Sequence, residues 1–263
     1  VPFNGPYGHW PAIRGQAGTQ FDHLYDETRF ASIPREGLNR RVIDRYTRRV
    51  VEAGAAPHER FAGPLLLPNE TESLRNYFAQ TTLIDDAVGR IMAQLVTSGL
   101  AEDTIVIYTA DHGFSLGHHG IWGHGLAAWP SSMLRPSYQV PLIIRGPGVA
   151  AGTNRGLVSQ LDIPNTLLSA AGVAPVDTPR QDSRAIDLSD PGQPHRDFLC
   201  LEQEETRAIR TAENLYVERF TSASVEPLAS EFYDLSSDPQ ERVNLGGTDQ
   251  PSPTESGLAA RMR

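Results

Sequence analysis

Four of the chain's eight histidines, His112, His118, His119 and His124, fall within thirteen residues of "TIVIYTADHGFSLGHHGIWGHG" (104–125), directly after a β-branched and aromatic run. In an open α/β sheet, ligands bind in the crevice at the carboxyl ends of the strands. Asp111 and His112 stand where such a strand would finish, and the pair can turn an oxygen and an imidazole nitrogen toward one cation. That donor set suits Zn²⁺ or Mn²⁺ readily and Ca²⁺ less, because Ca²⁺ prefers oxygen. Trp122 and His124 follow one loop further on, within reach of the same crevice. An isolated loop histidine more often holds a turn by a hydrogen bond, which is the reading for His118, while His119 is open to either role. Trp10, Trp122 and Trp129 could stack on a sugar or aryl ring, or equally lie in the core under a loop.

The elements that must position these residues follow from periodicity. A helix is expected over 36–53, ending at Gly54. Another runs from Thr71 to Ser98, with apolar residues at Leu74, Tyr77, Phe78, Ile84, Val88, Ile91 and Leu95 and a stop at Gly99. "TIVIYT" (104–109) and "QVPLIIRGPG" (139–148) read as strands, the first of the kind buried in a parallel sheet. "LDIPNTLLSAAGV" reads as a helix from near Pro164 to Gly172. This order gives an α/β fold, a mixed sheet flanked by helices. Residues 174–197 are dense in Pro, Asp, Gly and Ser, so a boundary near 190 divides residues 1–190 from a smaller domain, 191–263. Short antiparallel strands are expected in that second part, then a loose tail from "TDQPSPTESG".

Composition removes several functions. The net charge of −9 argues against a general nucleic-acid backbone binder. All 23 basic residues are arginine, so no lysine of this chain can serve in a mechanism. No run of eighteen apolar residues exists to span a membrane. The single Cys200 cannot form an intrachain disulfide and reads as a buried strand cysteine, and it leaves the compartment open, a periplasmic or extracellular one included. The chain opens "VPFNGPYGHW", so Val1 reads as a cut or processed end with any signal peptide upstream. The zinc pattern HExxH is absent, as is CxxC, and a Ser-His-Asp hydrolase is not expected.

Taken together, five blocks in order resemble the sulfatase family of the alkaline phosphatase superfamily. They are "NYFAQTTLIDDAVGRIMAQL", "TIVIYTADHGFSLGHHGIWGHG", "VPLIIRGPG", "SQLDIPNTLLSAAGV" and "EFYDLSSDPQERVNL". The resemblance covers residues 3–10 and 71–247 and implies an alkaline-phosphatase-like fold with a small C-terminal antiparallel subdomain. It also implies hydrolysis of sulfate esters, of sugar or aryl type, through a formylglycine nucleophile beside a divalent cation, usually Ca²⁺. Carried over, Asp111 and His112 are half of the metal site. His124 stands where the family has a sulfate-contacting Lys, and Tyr7 stands where it has a sulfate-binding His, with His9 two residues on as a substitute.

The departures are as informative as the matches. The formylglycine motif C-x-P/A-x-R is absent, since Cys200 is followed by Leu201, Glu202, Gln203 and Glu204. The family's paired N-terminal aspartates are absent too, and Asp85–Asp86 lie mid-helix. The expectation is therefore the C-terminal half of a sulfatase, whose nucleophile-bearing N-terminal half is a separate or upstream part and which alone turns nothing over. Two alternatives stay open: a phosphodiesterase or phosphonate monoester hydrolase of the same superfamily, toward which a His at 112 leans through Mn²⁺ or Zn²⁺, and a non-catalytic remnant.

Overall fold

The computed structural model of the chain describes residues 1–3, 5–6, 19–52, 54, 71–176, 182–220 and 230–262. After a short 3-10 turn, the elements are α1 (Arg40–Glu52), α2 (Thr71–Thr97), β1 (Val106–Thr109), β2 (Ser115–Leu116), β3 (Trp122–Gly123), α3 (Arg135–Tyr138) and β4 (Leu142–Arg145). They continue with α4 (Asp162–Ala170), β5 (Phe198–Gln203), β6 (Thr206–Thr211), β7 (Asn214–Arg219), β8 (Glu231–Asp234) and α5 (Pro253–Met262). The chain gathers into two compact units, residues 1–102 with 109–141 and residues 103–108 with 142–263. Residue 190, where composition shifts, lies inside the second unit, between α4 and the sheet that begins at β5. No helix among the described residues is long and apolar enough to cross a membrane.

In the first unit α1 starts at Arg40 rather than at residue 36, because the preceding loop is spent elsewhere. The Asn39 side-chain oxygen accepts from Arg41 N at 2.9 Å, an N-cap that satisfies one orphan donor. Asn39 N donates to Gly120 O at 2.8 Å, and Gly37 O accepts from Trp122 Nε1 at 3.3 Å. α2 buries Leu74, Ala79 and Ile84. Its apolar stripe does not stay covered: Ile91 and Val96, further along, are exposed. The core is Phe30, Leu74, Leu116 and Trp122, with Tyr25, Ile33, Leu38, Tyr77, Phe78 and Phe114 packed against it. Trp122 is 1% exposed, and shielding an indole of that size stabilises the unit by about 3 kcal/mol.

In the second unit β1 and β4 pair in a two-stranded sheet, each shorter than its sequence run. The expectation of a buried first strand is corrected here: no residue of β1 is fully buried and Tyr108 is 36% exposed, while Ile143 of β4 is 61% exposed. Two strands present alternate side chains to opposite faces, and β4 accordingly alternates half-buried with exposed positions. α4 begins two residues before Pro164, which sits at the third helical position, where the missing N–H is one of the orphans. Asp162 at its start is fully buried and accepts from Ser159 N at 2.7 Å, from Arg184 N at 2.9 Å and from Arg196 Nη2, with His195 Nε2 3.1 Å from Oδ2.

The remaining strands form the expected antiparallel sheet, in the order β5-β6-β7-β8. Two expectations fail in this region. Cys200 lies on β5 but is exposed, because its side chain falls on the strand face that points outward. The tail is α5 rather than loose: Ser252 Oγ accepts from Glu255 N at 3.1 Å, Pro253 opens the helix, and Leu258 packs with Ile209, Tyr216 and Phe232.

Candidate active site

The site is built within the first unit from β1's exit and the hairpin that follows. Asp111 and His112 leave the strand with side chains 87% and 51% exposed. Asp111 Oδ1 accepts from His112 N at 2.9 Å, which fixes the carboxylate against its own neighbour. His112 Nδ1 lies 3.0 Å from Gly113 O. A carbonyl only accepts, so Nδ1 carries the proton and the neutral ring keeps its lone pair on Nε2. That is the orientation a metal-ligating imidazole takes when a backbone carbonyl holds its other nitrogen. Nε2 stands 3.8 Å from Asp111 Oδ2.

Gly113 is what lets this turn form. Its N–H donates to Ser137 O at 3.1 Å, and a Cβ there would meet Pro136 O at 2.2 Å. β2 and β3 pair antiparallel with Ser115 opposite Gly123, so the hairpin carries residue 124 back beside residues 112–114. The His112 and His124 rings end 4.9 Å apart, tilted by 46°. His124 Nδ1 accepts from Leu126 N at 3.3 Å and caps the turn Gly125–Ala127. The bond occupies the Nδ1 lone pair, so in the neutral ring the proton is on Nε2. His124 is thereby set as an N–H donor, whereas the resemblance pointed to a cation at this position.

The other predicted residues are distributed differently. His118 Nδ1 accepts from Leu116 N at 3.4 Å, and His119, at φ 56°, offers its carbonyl to Asn39 Nδ2 at 3.1 Å; both hold the hairpin turn. Trp122 is corrected from a substrate contact to a core residue: buried among Phe30, Leu74 and Leu116, it has no face for a ligand. Asp85 and Asp86 lie on the exposed side of α2. Tyr7, His9 and Trp10 lie outside the described residues. Gly113-Phe114-Ser115-Leu116-Gly117 does carry the letters G-x-S-x-G, the pattern of a Ser-His-Asp hydrolase. Ser115 is 2% exposed on a hairpin strand rather than at a strand-to-helix elbow, so it is no nucleophile.

Sequence reasoning also missed the residues that hold the 125–132 loop in place. Arg41 donates from Nη2 to Pro130 O at 2.6 Å and to Ser131 O at 2.9 Å, while its own carbonyl accepts from Trp129 N at 2.8 Å. No local pattern signals a bond that spans some ninety residues.

Among the described residues, no group of three or more His, Cys, Asp and Glu gathers as a metal site. The two donors present, Asp111 Oδ2 and His112 Nε2, stand 3.8 Å apart, a separation at which an oxygen and an imidazole nitrogen can face one cation.

With this geometry in hand, comparison with known proteins is direct. The sulfatase family model matches residues 9–173. Arylsulfatase K of Mus musculus is 31% identical over 192 residues, 67% of this chain and 33% of its own length. Choline-sulfatase of Rhizobium meliloti is 34% identical over 106 residues, 40% of this chain and 20% of its own. A protein solved in complex with its substrate D-glucosamine-2-N,6-O-disulfate superposes with a TM-score of 0.64 at 24% identity, covering 82% of this chain and 44% of that one. The chain thus spans a fifth to about half of the relatives it matches. With a family model covering well over half of its residues, and with the alkaline-phosphatase-like α/β fold of its structural neighbours, this chain belongs to the sulfatase family.

Proposed function

We propose that the chain is the C-terminal portion of a sulfuric ester hydrolase, and that Asp111 and His112 supply part of a divalent-cation site beside which His124 binds the ester. The observation that carries this reading is the locked pair: Nδ1 of His112 held by Gly113 O, Nε2 facing Asp111 Oδ2, and His124 at ring contact. Ca²⁺ is the cation implied by the family, with Mn²⁺ or Zn²⁺ as the alternative that an imidazole ligand favours. A bound cation would orient the ester oxygens and withdraw charge from them as the S–O bond breaks.

The chain's own residues do the rest of the work assigned here. Asp111 and His112 hold their donor atoms at a fixed separation. His124, capped through Nδ1, presents Nε2–H to an ester oxygen, and the buried hairpin core keeps both histidines in register. The nucleophile comes from elsewhere, since C-x-P/A-x-R occurs nowhere in the 263 residues. Residues 1–263 alone turn over no ester.

The test is hydrolysis of p-nitrophenyl sulfate and of a p-nitrophenyl phosphonate monoester by the full product of the gene encoding this chain. Sulfate turnover that D111N lowers by at least about 10²-fold supports the reading. A product more active on the phosphonate moves the assignment to the phosphorus-ester branch, and no turnover of either ester or of glucosamine 2-N,6-O-disulfate overturns the hydrolase reading.

A further inference from the structure

α1 is a basic element on an acidic chain. It carries five arginines against Asp44 and Glu52, while the whole protein has a net charge of −9. It is also bolted to the loop that leaves His124. Arg41 ties α1 to Trp129, Pro130 and Ser131, and Ser132 N returns to Gly125 O at 3.0 Å, one residue from His124. One helical turn and two turns beyond Arg41 come Arg45 and Arg48. Both attend the half-buried Trp129: the Arg48 guanidinium lies 4.0 Å over the ring centroid and that of Arg45 lies 5.8 Å from it.

The arrangement selects by charge. A quaternary ammonium is recognised on an aromatic face, and here Arg48 already occupies a face of Trp129. A second cation brought there would also meet the field of the arginines. An anionic group gains from the same field, and a guanidinium held 4.0 Å over an indole centroid can still pair with sulfate or carboxylate oxygens.

We propose that α1 and Trp129 form a subsite for a second anionic group of the substrate, through Arg45 and Arg48, so that the ester bound at His124 belongs to a polyanion rather than to a cationic alcohol. This rests on the sulfatase reading above and names its substrate class.

The experiment compares kcat/KM of the full gene product for glucosamine 2-N,6-O-disulfate, glucosamine 6-O-sulfate and choline sulfate, at low and high NaCl, in wild type, R48Q and R48K. The disulfate is expected to lead the monosulfate by about tenfold and choline sulfate by more, with R48Q shrinking the first ratio about fivefold. High salt is expected to shrink it as well, and R48K, which keeps charge without the planar fork, to fall between. Equal kcat/KM for disulfate and choline sulfate, or a ratio unmoved in R48Q, overturns the subsite while the hydrolase reading stands. If no ester is turned over, the hydrolase reading fails, and calorimetric titration of the chain with the disulfate decides the subsite. Saturable binding weakened in R48Q supports it, and no binding overturns it.

Discussion

The imidazole rings of His112 and His124 lie 4.9 Å apart, brought together by a hairpin only two residues wide on each side. Each ring is fixed through its own Nδ1, in opposite senses: His112 donates to Gly113 O and His124 accepts from Leu126 N. The first therefore offers a lone pair at Nε2 and the second a proton. Under the proposed function these are complementary roles, ligand and donor, each set by one backbone contact.

Gly113 is the hinge of that assignment. G113A drives a methyl into Pro136 O, a rigid backbone atom, and the strand exit must shift. The expected loss is about 3 kcal/mol in urea unfolding, together with loss of any cation affinity. Unchanged stability would mean that the close approach is softer than described here.

Trp122 and Trp129 separate structure from recognition. W122A empties the center of the first unit and is expected to cost about 4 kcal/mol, read as a lowered denaturation midpoint. W129A is expected to cost about 1 kcal/mol, since its ring is half-buried and loses mainly its arginine contacts. A W122A protein as stable as wild type would contradict the core placement.

Asp162 anchors the second unit. It is fully buried, and Arg196, His195 and two backbone N–H groups converge on it. D162N leaves the buried Arg196 charge with only the exposed Asp182 as a carboxylate partner, and the expected cost is about 3 kcal/mol in thermal or urea unfolding. Replacing Asp182, the exposed partner of Arg184 and Arg196, should matter far less.

Cys200 supplies a pH test. Desolvation first, and the Asp182 charge second, push its thiol above the ordinary range, because both penalise the thiolate. The thiolate is the reactive form, so the iodoacetamide reaction should rise at higher pH than for a free cysteine. D182N should move the profile back down. A profile at or below that of free cysteine would contradict the assigned environment.

Much of this was legible in the sequence, for local reasons. The three-to-four spacing and Gly99 located α2 to within one residue. The placement of Asp111 and His112 just past a strand needed only the β-branched run before them. α5 was also legible and was missed: Ser252-Pro253-Thr254-Glu255 is a capping box, but its Pro and Ser were read as loop composition. What could not be read is long-range. The burial of Trp122 depends on Gly37 and the loop around it, some eighty residues away, and the posture of the His124 loop on Arg41. The exposure of β1 and β4 depends on how many strands share their sheet, which no window along the chain encodes.

The most direct test of the central claim is paramagnetic broadening of histidine ring signals by substoichiometric Mn²⁺, in the chain and in D111N. His112 is expected to broaden first and His124, its ring 4.9 Å from that of His112, next, while His23 and His195 stay sharp, and D111N is expected to abolish the selectivity. Uniform broadening, or selective broadening that survives D111N, would contradict the assignment of Asp111 and His112 as cation ligands.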